Sequence, residues 1–401
     1  MMKVLLINHF PLEGSGSGTY TASIAHYLVK NGHETCIILP ENTVPEQLPG
    51  QKLYPVYFRG ATPLPGALPY NFPCFTTHPR SNLAYADLSD SEFALFLGAF
   101  DKAIADIMQN FKPDIIHAQH IWCLAYLATQ YATPLVITTH GTDLLGYEKW
   151  PRFRSYADTA VTKCARLIAI SQDNYQSALK TFPQAANKTV LLSGGYNESI
   201  FYVEPLNRAK LLSQYGVPYN GEQIVLFAGK LTAVKGVDTL LKAAQEYEAL
   251  PQLNTITLIA GNGEKYQELQ QLAAKLKLRS VYFLGHRNQQ QLRQLYSNAD
   301  IFVMPSRYEA FGLVAVEAMA CGLPVIASRV GGLCDFVNSE TGVLINADNA
   351  QALCGAVVQE LSSARWNAQQ KAQVAQYAYK NYAQANLIGE LEQVYHDVCN
   401  S

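Results

Sequence analysis

The chain has 401 residues, of which 49% are hydrophobic, and its 30 basic and 32 acidic side chains leave a net charge of −2. At roughly 150 residues per domain this length allows two or three domains, with cores that need neither disulfides nor metal. The charge balance excludes a general nucleic-acid binder and a strongly basic membrane-surface protein.

Short apolar runs alternate with stretches of helical period, the pattern of parallel βαβ units. The opening run, 3–8, reads as a strand that begins on a single lysine, too short for a signal peptide. No run approaches the ~18 apolar residues of a membrane span. Gly14, Gly16 and Gly18 follow it and open a helix over 19–29. Alone, such a loop suggests dinucleotide binding, which requires an acidic residue ending the next strand. The strand over 34–40 ends in Leu39-Pro40, before Glu41, which argues against that reading. From 53 to 91 the chain carries six prolines among many aromatics and reads as a long ordered loop over a cleft or as an insertion covering a sheet edge. A helix over 98–111 follows, then strands over 114–119, 134–140, 165–171 and 189–193. His117 and His120 flank the end of one strand; His140 ends another, within Thr139-His140-Gly141-Thr142-Asp143. Asp143 is placed to cap the next helix.

A polar stretch, about 197–222, separates a second set of six strands, over 223–229, 255–261, 280–285, 301–305, 324–328 and 342–345. Most strands are apolar throughout, as expected when helices cover both faces. The fold class is therefore α/β, with two doubly wound parallel-sheet domains in tandem, 1–200 and 201–380. Ligands of such sheets bind beyond the carboxyl ends of the strands, so two facing domains make one cleft. The helical stretch 366–399 can pack on either domain, and we place 380–401 back on the first. Eight scattered cysteines without a Cys-x-x-Cys pair indicate a reduced, cytoplasmic protein with no structural zinc.

Three segments carry chemistry. In 305–317 a strand ends, a loop bears Glu309, and a helix beginning near Gly312 bears Glu317. A Glu within an apolar run is costly to bury unless hydrogen-bonded, and two vicinal hydroxyls would satisfy it. The amides of Phe311, Gly312 and Leu313 at the helix entrance suit sugar hydroxyls or phosphate. A capping Glu309 and a Glu317 paired with a basic residue fit the same spacing. In 227–236, Lys230 and Lys235 flank a loop leading into a helix over 238–247, a plausible diphosphate site or simply two solvated lysines. Gly331-Gly332 follows strand 324–328 and permits close backbone approach to a ligand.

Together Gly229-Lys230-Leu231, Lys235-Gly236, Gly261-Asn262-Gly263, Gly285-His286, Pro305-Ser306, Glu309, Phe311-Gly312, Glu317 and Gly331-Gly332 resemble, in order and separation, the nucleotide-sugar domain of retaining glycosyltransferase family 4. That resemblance implies the GT-B fold. It implies a donor diphosphate on Lys230 and Lys235, the ribose on Glu317, and sugar hydroxyls on Glu309 and the amides from Ala310 to Leu313. Gly229, Gly261, His286 and Arg287 complete the donor set, with Gly16 and Gly18 contributing amides across the cleft. The family usually has Arg where this chain has Lys230, and Lys keeps the charge without bidentate geometry.

His140 is implied beside the anomeric centre, which gives His140, Lys235 and Glu309 as catalytic residues and His117, His140, Asp143 and Arg80 on the acceptor side. The reaction implied is metal-independent transfer, with retention, of a hexose or N-acetylhexosamine. The donor would be a UDP-sugar (UDP-glucose or UDP-N-acetylglucosamine), with no other cofactor. Helix 19–29 carries no basic residue before Lys30, which favours a small soluble acceptor over a lipid-linked or cell-envelope glycan. The His140–Asp143 stretch resembles bacterial enzymes that glycosylate malate in bacillithiol synthesis and aminoglycoside-pathway transferases. A malate-like anion calls for Arg80, Arg152 or Arg154, and an aminocyclitol for Asp87, Asp143 or Glu148. A sugar-nucleotide epimerase, which shares the fold, and a silent binding protein are the competing classes. The chain is expected to act as a monomer or homodimer without nucleic-acid partners or a membrane-spanning segment.

Overall fold

A computed structural model describes residues 1–75 and 78–400, with the side chain of residue 364 outside the description. The chain divides into two units, Met1–Gly194 together with Gln384 onward, and Gly195–Ala383. Each is built on one parallel sheet. In the first unit the strands are β1 (Lys3–Ile7), β2 (Glu34–Glu41), β3 (Gln51–Tyr57), β4 (Ile115–Gln119), β5 (Leu135–Thr139), β6 (Arg166–Ala169) and β7 (Thr189–Leu191), in the order β3-β2-β1-β4-β5-β6-β7. In the second they are β8 (Gln223–Ala228), β9 (Thr255–Ala260), β10 (Val281–Gly285), β11 (Ile301–Met304), β12 (Val325–Ser328) and β13 (Gly342–Ile345), ordered β10-β9-β8-β11-β12-β13.

The sheets have seven and six strands rather than six each. The additional strand, β3, carries Pro55. As the edge strand it can accept a residue that donates no ladder bond. The proline-rich segment beyond it is neither a free loop nor a thin cover. Its Phe58, Tyr70, Phe72, Phe75 and Tyr85 are buried in one cluster with Phe93, Phe96 and Phe100 of helix Asp90–Asn110, so aromatic burial orders it. Thr76 and Thr77 of this segment lie outside the described residues. β2 also runs through Pro40, which is in register with Val56, and ends on Glu41. An acidic strand-end residue is therefore present, contrary to the expectation from sequence. Its carboxylate is already engaged, accepting from Arg80 at 2.8 and 3.2 Å.

Strand interiors such as Val4–Ile7 and Val303 are wholly buried, as two-faced coverage requires. Helix Gln384–Cys399 lays Ile388, Leu391 and Tyr395 on the first sheet beside Leu6, Ile37 and Val136. Strand order reverses between β1 and β4 in one unit and between β8 and β11 in the other. At such a switch point adjacent crossovers leave to opposite faces and open a crevice beyond the strand ends. Of the sequence-predicted residues, Lys230 and Lys235 follow β8, Glu309 follows β11 and His140 follows β5. No helix among the described residues is long and apolar enough to cross a membrane.

Candidate active site

In the second unit the loop after β8 closes into the short turn Ala233–Lys235. Arg307, just beyond β11, holds that turn in place. Its guanidinium donates to both Asp238 carboxylate oxygens at 2.9 Å and to the Ala233 carbonyl, and its Nε lies 2.6 Å from Asp348. Its amide donates to the Val234 carbonyl at 2.7 Å. A forked, charge-assisted pair of this kind fixes direction as well as distance. Arg307 had no role in the sequence reading, where it sat unremarked between Ser306 and Glu309. The turn presents Lys235, whose Nζ lies 2.5 Å from Glu309 Oε2. Lys230 is half-buried at the start of the same loop.

The loop bearing Glu309 rests on Gly331 and Gly332. Gly331 has φ +49, and a Cβ there would stand 1.7 Å from the Glu309 carbonyl oxygen, while the Gly332 amide donates to that oxygen at 3.1 Å. The sequence reading reserves these glycines for close approach of a ligand. The approach is instead made by the Glu309 backbone, so the pair shapes the loop.

Helix Leu313–Ala320 begins immediately afterwards. The amides of Phe311, Gly312 and Leu313 have no acceptor among the described residues. Glu317 is 5% exposed and its carboxyl makes no hydrogen bond among the described residues. Burial pushes it up to about 8. The nearby Tyr296 hydroxyl is buried and also without a hydrogen-bond partner among the described residues. Around this centre, the Gly229 amide donates to Ala260 and the Gly261 amide to Gly285, at 3.0 and 2.8 Å, lacing the strand ends together. His286 is exposed, whereas Arg287 turns back to the Leu284 carbonyl and stacks 5.1 Å from the Tyr215 ring centre.

Most polar groups at the strand ends of the first unit are engaged within it. Helix Gly16–Lys30 starts on Ser15, whose Oγ accepts from the Gly18 amide at 3.0 Å, so that amide serves the cap rather than a phosphate. A Cβ at Gly18 would stand 2.3 Å from the Pro11 carbonyl oxygen, so the residue is needed for close packing. Gly16 lies in the same first turn, where a Cβ would meet open space. Asp143 is wholly buried and does more than cap. It accepts from the Ile121, His140 and Leu144 amides at 3.0, 3.1 and 3.1 Å and from Thr139 Oγ1 at 3.0 Å. Burial pushes its carboxyl up, but the His120 imidazole 3.6 Å away, His140 and the Ile121 amide outweigh that and hold it at about 2. It thereby ties the segment after β4 to the segment after β5.

His117 is also internal. Its ring lies between the Tyr395 hydroxyl and Thr138 Oγ1, each at 2.7 Å, and burial pushes it down to about 3. Arg80 is committed to Glu41 and Thr43, Arg152 to Asp90 and the Leu88 carbonyl, and Arg154 to the Tyr147 and Glu148 carbonyls. Each arginine thus finds a carboxylate or a backbone carbonyl of a helix or turn within its own unit. His140 differs in kind. It is 8% exposed, its Nε2 lies 2.9 Å from Gln119 Oε1, and its ring packs on Tyr20 and His120 with centres 5.3 and 4.8 Å away. His120 has φ +78, a left-handed conformation uncommon for a residue with a side chain, and both its ring nitrogens lack a hydrogen bond among the described residues. His9 completes the group: its Nε2 accepts from the Leu124 amide at 3.2 Å and its Nδ1 faces the Gln119 carbonyl at 2.7 Å. Neither Gln119 nor His9 stood out in the sequence, because their partners lie far along the chain.

Comparison with known proteins gives two family matches: residues 14–199 to Glycosyltransferase Family 4 and residues 212–381 to Glycosyl transferases group 1. An uncharacterised glycosyltransferase of Methanocaldococcus jannaschii is 26% identical over 98% of both chains. The N-acetyl-α-D-glucosaminyl L-malate synthase of Bacillus anthracis is 24% identical over 98% of this chain and 96% of its own. Among solved structures, the Anabaena protein HepE in complex with UDP and glucose superposes with a TM-score of 0.75 at 20% identity, over 99% of this chain and 100% of that one.

Proposed function

The chain belongs to the group 1, family 4 glycosyltransferases of GT-B fold, and from that premise we propose that it transfers a hexose or N-acetylhexosamine with retention from a UDP-sugar to a hydroxyl of a small soluble acceptor. The observation that carries the donor half is Glu317, a buried carboxyl without a hydrogen-bond partner among the described residues, one helical turn past three open amides. A ribose diol supplies two hydroxyl donors and removes the cost of burying that group. A diphosphate competes with Glu309 for the Lys235 ammonium and draws on Lys230 and the amides from Phe311 to Leu313. Once released from Lys235, the Glu309 carboxylate accepts from sugar hydroxyls. Donor engagement at the diphosphate and at the sugar is thus coupled through one ion pair.

Catalysis in this scheme is charge stabilisation of the departing diphosphate, which fixed cations and amides perform without a metal. In this scheme none of the three carboxylates serves as a covalent nucleophile: Asp143 is saturated, Glu317 holds the ribose, and Glu309, paired with Lys235 until the donor binds, accepts from sugar hydroxyls. We therefore assign attack from the leaving-group face, with His140 beside the anomeric centre. The name of the Bacillus anthracis relative and the UDP and glucose bound to HepE support a UDP-linked donor. The engagement of Arg80, Arg152 and Arg154 favours an uncharged polyol acceptor over a malate-like anion. Incubation with a panel of nucleotide sugars without acceptor, followed for slow release of free sugar, tests the scheme. Hydrolysis of one UDP-sugar is expected. Epimerised nucleotide sugar, or no binding of any donor, would overturn it.

A further inference from the structure

We propose that Gln119 is a positioning residue that fixes His140 as its Nε2–H tautomer, through a hydrogen-bonded relay running back to Tyr395. The proposal rests on the assignment of His140 to the reaction. Gln119 ends β4, and its side chain lies between two histidines. Its Oε1 stands 2.9 Å from His140 Nε2, and its Nε2 stands 3.4 Å from His117 Nε2. A carboxamide oxygen only accepts and a carboxamide nitrogen only donates. His140 Nε2 therefore carries the proton, while His117 Nε2 is an acceptor from the Gln119 amide and from the Thr138 hydroxyl, whose Oγ1 lies 2.7 Å away. That leaves the His117 proton on Nδ1, which donates to the Tyr395 hydroxyl at 2.7 Å. All four side chains are more than nine-tenths buried, so water cannot substitute for a lost partner without cost.

The consequence is chemical. With Nε2 committed, His140 offers Nδ1, an acceptor, to whatever enters the strand-end crevice. A Gln119 side chain turned by 180° would offer the opposite: a donor at Nδ1 and an acceptor at Nε2. His140 is surrounded by His9, His117, His120 and Asp143, and burial, with His120, holds it well below its ordinary value, so its tautomer rather than its charge is what the protein sets. Helix Gln384–Cys399, which carries Tyr395, is the far end of that control.

The test is two-bond proton–nitrogen NMR on the full chain labelled at its histidines, with His140 assigned by His140→Gln. We expect wild type to show a neutral His140 protonated at Nε2. Gln119→Leu is expected to give averaged tautomer signals and to lower kcat about tenfold while donor KM stays within twofold. Gln119→Glu, which presents only acceptor oxygens, is expected to keep Nε2–H and raise the His140 titration midpoint. A wild-type ring protonated at Nδ1, or His140 signals unmoved by either Gln119 variant, overturns the proposal. Should Gln119→Leu fail to fold, wild type and Gln119→Glu still decide. The spectra need no turnover, so loss of the transferase reading and loss of this relay give separate results.

Discussion

The strand ends of the two units handle polar groups in opposite ways. Around β4 and β5, Asp143 accepts four hydrogen bonds, and His9, His117 and Gln119 are each held by partners inside the unit, the His120 ring being the exception. Around β8 and β11 a buried Glu317 and the amides of three consecutive residues lack partners among the described residues, beside the Lys235–Glu309 pair. Saturated polar groups hold a scaffold in one geometry, because opening them is costly. Unsaturated ones are places where a ligand contributes what the fold leaves out. Under the proposed function the first unit is a rigid seat for His140, and the second is the side where donor binding energy is gained.

That contrast predicts which substitutions unfold the protein and which only silence it. The largest effect should come from Asp143→Ala, which orphans three amides and a threonine hydroxyl in a buried site. Stability is expected to fall by about 3–5 kcal/mol in denaturant titration, the scale for breaking a buried polar network by removing one partner. A loss below about 1 kcal/mol would break the comparison. Lys235→Ala should leave the melting temperature nearly unchanged while transfer slows about a hundredfold, equivalent to about 3 kcal/mol of leaving-group stabilisation. An unchanged transfer rate would remove Lys235 from the mechanism.

Glu317 gives the next prediction, on stability against pH. Its folded-state carboxyl is raised to about 8 from an ordinary 4.5, so its contribution to stability is full below about 4.5 and is lost as pH rises through 8. The melting temperature of wild type should fall more steeply between pH 5 and pH 9 than that of Glu317→Gln, and parallel curves would show that the group is not buried as described. The smallest effect concerns the turn beneath Lys235. Arg307→Lys keeps one charge but loses the fork on Asp238, and donor KM should rise a few-fold, corresponding to about 1 kcal/mol. A kcat effect without a KM effect would mean that the turn does not govern binding.

Much of the fold was legible from residue order alone, because strands covered on both faces are continuous apolar runs with little else they can form. β3 escaped because Pro55 interrupts its pattern, and only its place at the sheet edge makes the proline tolerable. Glu41 was misjudged for a related reason: Pro40 was read as ending a strand that runs through it. At the donor end the informative residues lie in short segments, so Glu309, Glu317 and the glycines stood out together. What the sequence hid there was the partner of Gly331, since only the fold brings the Glu309 carbonyl against it. The histidine network was hidden for a stronger reason. His117 meets Tyr395 across 278 positions and His9 meets Leu124 across 115, and a lone histidine at a strand end carries no sign of either contact.

The central claim is that Glu317 is held protonated by burial until a ribose takes its place as the partner. Isothermal titration of UDP at pH 7, repeated in buffers of different ionisation enthalpy, measures it directly. Ribose hydroxyls favour the charged carboxylate, so the bound group must titrate below its free value of about 8. Binding should then release close to one proton more from wild type than from Glu317→Gln, in which only the terminal phosphate of UDP contributes; the wild-type affinity should climb from pH 6 to pH 8 and level off above it, and Glu317→Gln should bind more weakly. UDP binding with no proton exchange in wild type, or equal release from Glu317→Gln, would contradict the account.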